Sequence, residues 1–250
     1  VTTLLSRALV PFADGALGSR GAALLDDYAD EAGNRGLLLH DPAEFRARVR
    51  AAAEAGLQVN THAIGDRANR FVLDAYETVM SAPDMELRRP RIEHAQVLAS
   101  RDVQRFGERD VIASVQPLHA TSDMGWVESR LGPDRLAGAY AWKRLQKAGA
   151  PLAFGSDAPV ESIDPLQGFH AAVSRQDADG RPAGGWHPSE RLSRAEALYG
   201  YTRGAAYAAF MEDEVGSITP GKRADLTVLS QDIMQVPVED LLDIEVVATY

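Results

Sequence analysis

The chain has 250 residues, 45% hydrophobic and 25% charged, which is enough apolar material for one large α/β domain or two smaller ones. Its formal net charge of −10, with no run of basic residues, argues against a nucleic-acid surface, which must displace counterions with clustered Lys and Arg. It contains no cysteine, so disulfides, thiolate metal sites and a Cys nucleophile are excluded, and a transition metal would need His, Asp, Glu or a modified Lys.

The first helix signal is Asp41-Pro42-Ala43-Glu44, an N-cap Asp, a Pro at the first helical position and a Glu at the third. Phe45, Val49, Ala52 and Ala53 then share one face. Residues 57–61 read as a strand, 66–80 as a helix, 91–93 as a short strand and 100–106 as a helix. Residues 111–115 read as a strand, 138–148 as a helix, 151–154 as a strand and 165 to about 175 as a helix. Strand–helix units of this length predict parallel strands joined by right-handed crossovers. Ser193-Arg194-Ala195-Glu196 is a second capping box, opening a helix through Ala209.

The pattern changes after Phe210. Residues 211–221 have no helical period, and 225–230 and 245–250 are strand-like, so 211–250 is expected to form a small β appendage. Gly216 to Lys222 matches the Gly-x4-Gly-Lys part of a phosphate loop, but Arg223 stands where Ser or Thr should follow and Pro220 occupies the loop. A β-turn is the expectation. Neither a Gly-x-Ser-x-Gly elbow nor a His-Glu-x-x-His helix is present. No apolar run approaches the roughly 18–20 residues that span a bilayer, and the N-terminus shows no signal-peptide pattern. The cytoplasm is the expected compartment.

Several strands end in groups that bind metals or move protons. Residues 57–61 run into His62, 91–93 into His94 and 151–154 into Asp157; 111–115 is followed by Gln116-Pro117-Leu118-His119. In parallel α/β proteins the C-terminal ends of strands share one face, where active sites lie. Two imidazoles and a carboxylate there suit a zinc-type ion and a proton shuttle. Each also has a plainer reading, because one His near a strand end is more often packed than ligating. Asp66 is expected to cap its helix and Glu93, pointing away from His94, to be structural. His40 and His187 are expected in solvated turns, and His170 on the outer face of its helix. The role of His119 stays open.

Six segments occur in an order that carries a resemblance: Phe12-Ala13-Asp14-Gly15-Ala16-Leu17-Gly18-Ser19-Arg20, His62-Ala63-Ile64-Gly65-Asp66, Ile92-Glu93-His94-Ala95-Gln96, Ser114-Val115-Gln116-Pro117, Gly155-Ser156-Asp157-Ala158-Pro159-Val160, and the segment from Gly216 to Leu226. Together they resemble the YtcJ-like branch of the amidohydrolase superfamily, amidohydrolase family 3, from about Phe12 to Tyr250.

The resemblance implies the C-terminal part of a distorted (β/α)8 TIM barrel over residues 1–210, and a β-sandwich segment over 211–250. It implies that His62 and His94 are metal ligands and that Asp157 both ligates metal and moves the proton. The implied cofactor is a divalent metal, zinc first, in one or two copies. The implied reaction is attack of metal-activated water on an amide-like carbon, with Asp157 passing the proton to the leaving nitrogen. A small-molecule amide-like substrate is expected, a homodimer is compatible, and neither nucleic acid nor membrane is a partner. Arg20 and Arg175 are candidate substrate contacts beside His119, with a surface salt bridge as the alternative for each arginine. In this family a His-x-His pair lies upstream of these segments. A carboxylated Lys often precedes the Asp-Gly segment, where this chain has Ala8-Leu9-Val10-Pro11. A non-catalytic binding homologue, or another metal-assisted reaction on the same fold, is the competing expectation.

Overall fold

The computed structural model describes residues 8–9, 11–83 and 87–250. Residues 1–7 and Val10, assigned above to the barrel and to the stretch without a Lys, lie outside the described residues. In chain order the elements are β1 (Ala8–Leu9), α1 (Pro42–Glu54), β2 (Gln58–Ala63), α2 (Asp66–Met80), β3 (Arg91–His94), α3 (Ser100–Glu108), β4 (Ile112–Val115), α4 (Pro117–Asp123), α5 (Val127–Leu131), α6 (Trp142–Lys147), β5 (Leu152–Phe154), α7 (Pro165–Ser174), α8 (Arg194–Tyr199), α9 (Ala205–Ala208), β6 (Thr227–Leu229) and β7 (Val246–Thr249). They fall into two compact units, residues up to 114 with 126–151, and 115–125 with 152–250.

In the first unit β1 to β4 run parallel in sequence order, with α1, α2 and α3 between them. The helices form for local reasons. Asp41 caps α1 by accepting from the amides of Ala43 and Glu44. Along α2, Val72, Leu73, Ala75, Tyr76 and Val79 are buried at helical spacing. Burying each of the large apolar side chains contributes roughly 1.5–3 kcal/mol. Tyr76 adds a polar tie: its hydroxyl lies 2.7 Å from Thr61 Oγ1 on β2 and donates to the Arg91 carbonyl on β3 at 3.0 Å.

The helix expected over 138–148 is shorter than its pattern. A 3-10 turn covers Pro133–Gly138, and α6 begins only at Trp142. Residues 138–140 instead bond the chain beyond β3. Leu98 N donates to Gly138 O at 2.9 Å, Tyr140 N to Gln96 O at 2.7 Å, and Val97 bridges Ala139 antiparallel. A Cβ on Gly138 would meet Leu98 O at 2.0 Å, so only glycine permits this approach.

In the second unit β5 leads into α7, whose N-cap Asp164 accepts from Leu166 N. The Ser193–Glu196 capping box is present. The helix it opens passes through a π turn at Gly200–Gly204 before α9. A Cβ on Gly204 would meet Leu152 O at 2.1 Å, so the glycine lets this helix lie against β5. His170, expected on an outer face, is buried. The reason is that α7 has little outer face: Leu166, Gly168, Phe169, Ala171, Ala172 and Ser174 are buried as well. Thr219-Pro220-Gly221-Lys222 is a turn closed by Lys222 N to Thr219 O, with Gly221 at φ 94, so the phosphate-loop lookalike is the expected β-turn. The appendage consists of β6 and β7, paired antiparallel with Thr227 opposite Thr249.

Candidate metal centre

Within the first unit, β2 and β3 carry the two strand-end histidines. The register pairs His62 with Glu93 and Ala63 with His94. The sequence ended these strands at residues 61 and 93, whereas the ladder includes both histidines. Their rings meet edge to face, with centroids 4.5 Å apart at 75°. Phe12 covers His62 at 4.8 Å. Burial, assisted by neighbouring His94, pushes the His62 imidazole down to about 4. It is therefore neutral at pH 7, with a lone pair to give. His62 Nε2 is buried and has no hydrogen-bond partner among the described residues.

The backbone leaves β3 in the left-handed region, His94 at φ 74 and Ala95 at φ 43. For L-residues this conformation costs roughly 1–2 kcal/mol each, and such strain gathers at functional sites. Two imidazoles, one of them neutral with a buried nitrogen unbonded among the described residues, fit a borderline divalent cation such as zinc.

Asp14, quoted above only as part of a motif, is buried beside this pair. Its Oδ2 accepts from Ala23 N and Gly65 N, each at 2.8 Å, and its Oδ1 from Ile64 N at 2.9 Å. His62 Nε2 stands 3.6 Å from Oδ1, too far for a hydrogen bond. Burial pushes the Asp14 carboxyl up to about 7, against the three amide bonds that favour its charged form. The sequence signal was a lone carboxylate in the apolar run Phe12 to Leu17. Such a group is buried only when hydrogen-bonded, but its partners cannot be read from the run.

Within the second unit, Asp157 follows β5 at φ 59, and its carbonyl accepts from Val160 N at 2.8 Å. Its carboxylate is partly exposed and lies 3.7 Å from His119 Nε2 on α4. His119, whose role the sequence left open, thus lies beside Asp157.

The two arginines differ. Arg20 grips Asp30 in a fork, Nε to Oδ1 at 3.0 Å and Nη2 to Oδ2 at 2.9 Å, with Glu31 at 3.2 Å. Arg130 joins the same Asp30 carboxylate. Arg175 is fully buried, so the surface salt bridge weighed for it is corrected. It ends α7 at φ 59, donates Nε to Trp186 O at 3.0 Å and lies over the Trp186 ring at 4.9 Å. The carbonyl and the aromatic face offset part of the cost of burying the guanidinium.

Among the residues set aside, Asp66 follows the N-cap Gly65 and accepts from Leu25 N instead of capping α2. Glu93 pairs with Arg91 at 2.5 Å. His40 and His187 are half-buried rather than solvated, each against an aromatic ring, Phe45 and Trp186.

A family description of amidohydrolases matches residues 3–250. The chain belongs to the amidohydrolase family. It is 42% identical over 240 residues to Protein LONG AFTER FAR-RED 3 of Arabidopsis thaliana, a match that covers 96% of the chain and 41% of that protein. It is 40% identical over 225 residues to a Bacillus subtilis protein named as an amidohydrolase, YtcJ, covering 90% of the chain and 42% of YtcJ. It is 31% identical over 205 residues to N-substituted formamide deformylase of Arthrobacter pascens, covering 80% of the chain and 36% of that enzyme. Among solved structures, an uncharacterized metal-dependent hydrolase of Pyrococcus horikoshii superposes with a TM-score of 0.82 at 33% identity, over 92% of this chain and 45% of that one. The chain thus spans about two fifths of the length of the curated relatives it matches. Among the described residues, no helix is long and apolar enough to cross a membrane.

Proposed function

We propose that this member of the family holds a divalent metal with His62, His94 and Asp157 and hydrolyses an amide-like C–N bond of a small molecule. The observation that carries this reading is the His62–His94 pair: two imidazoles at adjacent strand ends, 4.5 Å apart, one neutral and with a buried nitrogen that no hydrogen bond among the described residues satisfies. A bound divalent cation supplies Lewis acidity, polarising a carbonyl and making a water more acidic. The family membership and the deformylase relative support the choice of bond.

The chain's own contribution is proton transfer and positioning. Asp157 takes the proton of the attacking water on a carboxylate oxygen and delivers it to the leaving nitrogen. Its partial exposure leaves that oxygen accessible to substrate, and His119 stands 3.7 Å from it. In this reading residues 1–210 are part of the (β/α)8 barrel, and 211–250, with the β6–β7 ladder, are the C-terminal share of a β-sandwich. The test is metal content and turnover of the full-length protein against formamides, acyl amides and cyclic ureas. Stoichiometric zinc with turnover of one class is the expected result. A protein that takes up no metal would overturn the reading.

A further inference from the structure

We infer that Asp14 is a positioning residue, its buried carboxylate tying the turn after His62 to the loop at Ala23 and so fixing the imidazole at the metal centre. The inference rests on the metal reading above and adds a residue to it. Residues 64 and 65, beyond the end of β2, have no ladder to satisfy their amides. Asp14 accepts two of them, Ile64 N at 2.9 Å and Gly65 N at 2.8 Å. The same carboxylate accepts from Ala23 N at 2.8 Å, 42 residues before Gly65 in the sequence.

The opposite, carbonyl side of the turn is held as well. Asn69 Nδ2 faces the carbonyls of Ala63, Ile64 and Gly65 at 3.2, 3.3 and 2.9 Å, and Val97 N donates to Ile64 O at 2.9 Å. Ala23 O accepts from Arg67 N and Ala68 N at 3.0 and 3.2 Å. A Cβ on Gly65 would meet that carbonyl at 2.0 Å, so the turn is pressed against Ala23 with no room to slide. The strand itself is bonded to the same loop, Ala13 N to His62 O at 2.8 Å and His62 N to Pro11 O at 3.0 Å.

The gap of 3.6 Å between Asp14 Oδ1 and His62 Nε2 excludes a direct hydrogen bond, so the carboxylate acts through backbone. It sits where the chain must pass from an extended strand to the first turn of α2 without moving the imidazole. Groups that hold a ligand histidine typically set metal affinity by about 10–100-fold. An Asn in place of Asp14 would turn an amide N–H toward one of the three backbone donors.

The experiment measures zinc affinity by competition and melting temperature in the full-length protein for wild type, His62→Ala, Asp14→Asn and Asp102→Asn. Asp102 is the matched control, a buried carboxylate of the same unit that pairs with Arg70 and Arg105. Zinc affinity is expected to fall by about tenfold or more in Asp14→Asn and to stay unchanged in Asp102→Asn. Wild-type affinity in a folded Asp14→Asn protein overturns the inference, as does zinc loss in both carboxylate variants in proportion to lost melting temperature. If wild type and His62→Ala both bind no zinc, the metal reading itself has failed.

Hydrogen exchange of the wild-type protein with and without zinc keeps the question decidable if Asp14→Asn does not fold. Because coupling is reciprocal, zinc is expected to slow exchange at Ala23, Ile64 and Gly65 together. Slowing confined to other amides would sink the inference.

Discussion

His119 Nε2 lies 3.7 Å from the Asp157 carboxylate, which places a helix-borne imidazole beside the aspartate that follows β5. Asp157→Asn preserves size but removes the proton acceptor. At saturating zinc, turnover is expected to fall by about 10²-fold or more, the scale of general acid–base catalysis, with a melting temperature close to wild type. His119→Gln is expected to lose less, since it changes the neighbour and keeps the base. Steady-state kinetics with metal analysis checks both. Near-normal turnover by a metal-loaded Asp157→Asn protein removes that residue from the chemistry.

His62→Ala is expected to act through metal rather than through proton transfer. It removes an imidazole held neutral by burial, so zinc content at equal total metal falls sharply and turnover falls with it. Excess zinc should restore part of the turnover of His62→Ala and none of that of Asp157→Asn. The reverse pattern of rescue would separate His62 from the metal.

Tyr76→Phe tests the tie between β2 and β3. The hydroxyl lost is the one bonded to Thr61 and the Arg91 carbonyl. Leaving buried partners unsatisfied costs roughly 1–3 kcal/mol, so the melting temperature should drop by several degrees while zinc affinity stays nearly constant. An unchanged melting temperature would show that these groups find other partners.

His170 predicts an acid-sensitive stability. Burial lowers its imidazole below the ordinary 6.5, with Asp177 opposing weakly. The unfolded chain binds a proton that the folded one resists, so unfolding gains protons as the pH drops. The contribution is present above pH 6.5 and is lost as pH falls through the window below it. Denaturant titrations between pH 7.5 and 5, values chosen to bracket that window, should show a shallower acid decline for His170→Gln than for wild type. Parallel curves would mean that His170 charges freely in the folded state.

The sequence by itself determined the α/β class, most helix starts and the chemistry-bearing strand ends. Those features are local: Asp41 and Ser193 cap with their own side chains, α2 shows its period over 15 residues, and His62 and His94 close short strand-like segments. The β-turn at Pro220-Gly221 was legible for the same reason, since its φ preferences belong to those two residues. Tertiary structure alone decided what depends on distant backbone. Residues 138–140 had a helical pattern, yet their amides and carbonyls bond residues 96–98, which no local period encodes. His170 looked outward on a helix that proved buried on most sides. Asp14 carried no readable role until the fold placed Ala23, Ile64 and Gly65 around its carboxylate. His119 and Asp157, 38 residues apart in sequence, became neighbours only when α4 met the exit of β5. The physical reason is shared: a buried donor or acceptor must be satisfied, but the fold, not the neighbouring residues, chooses its partner.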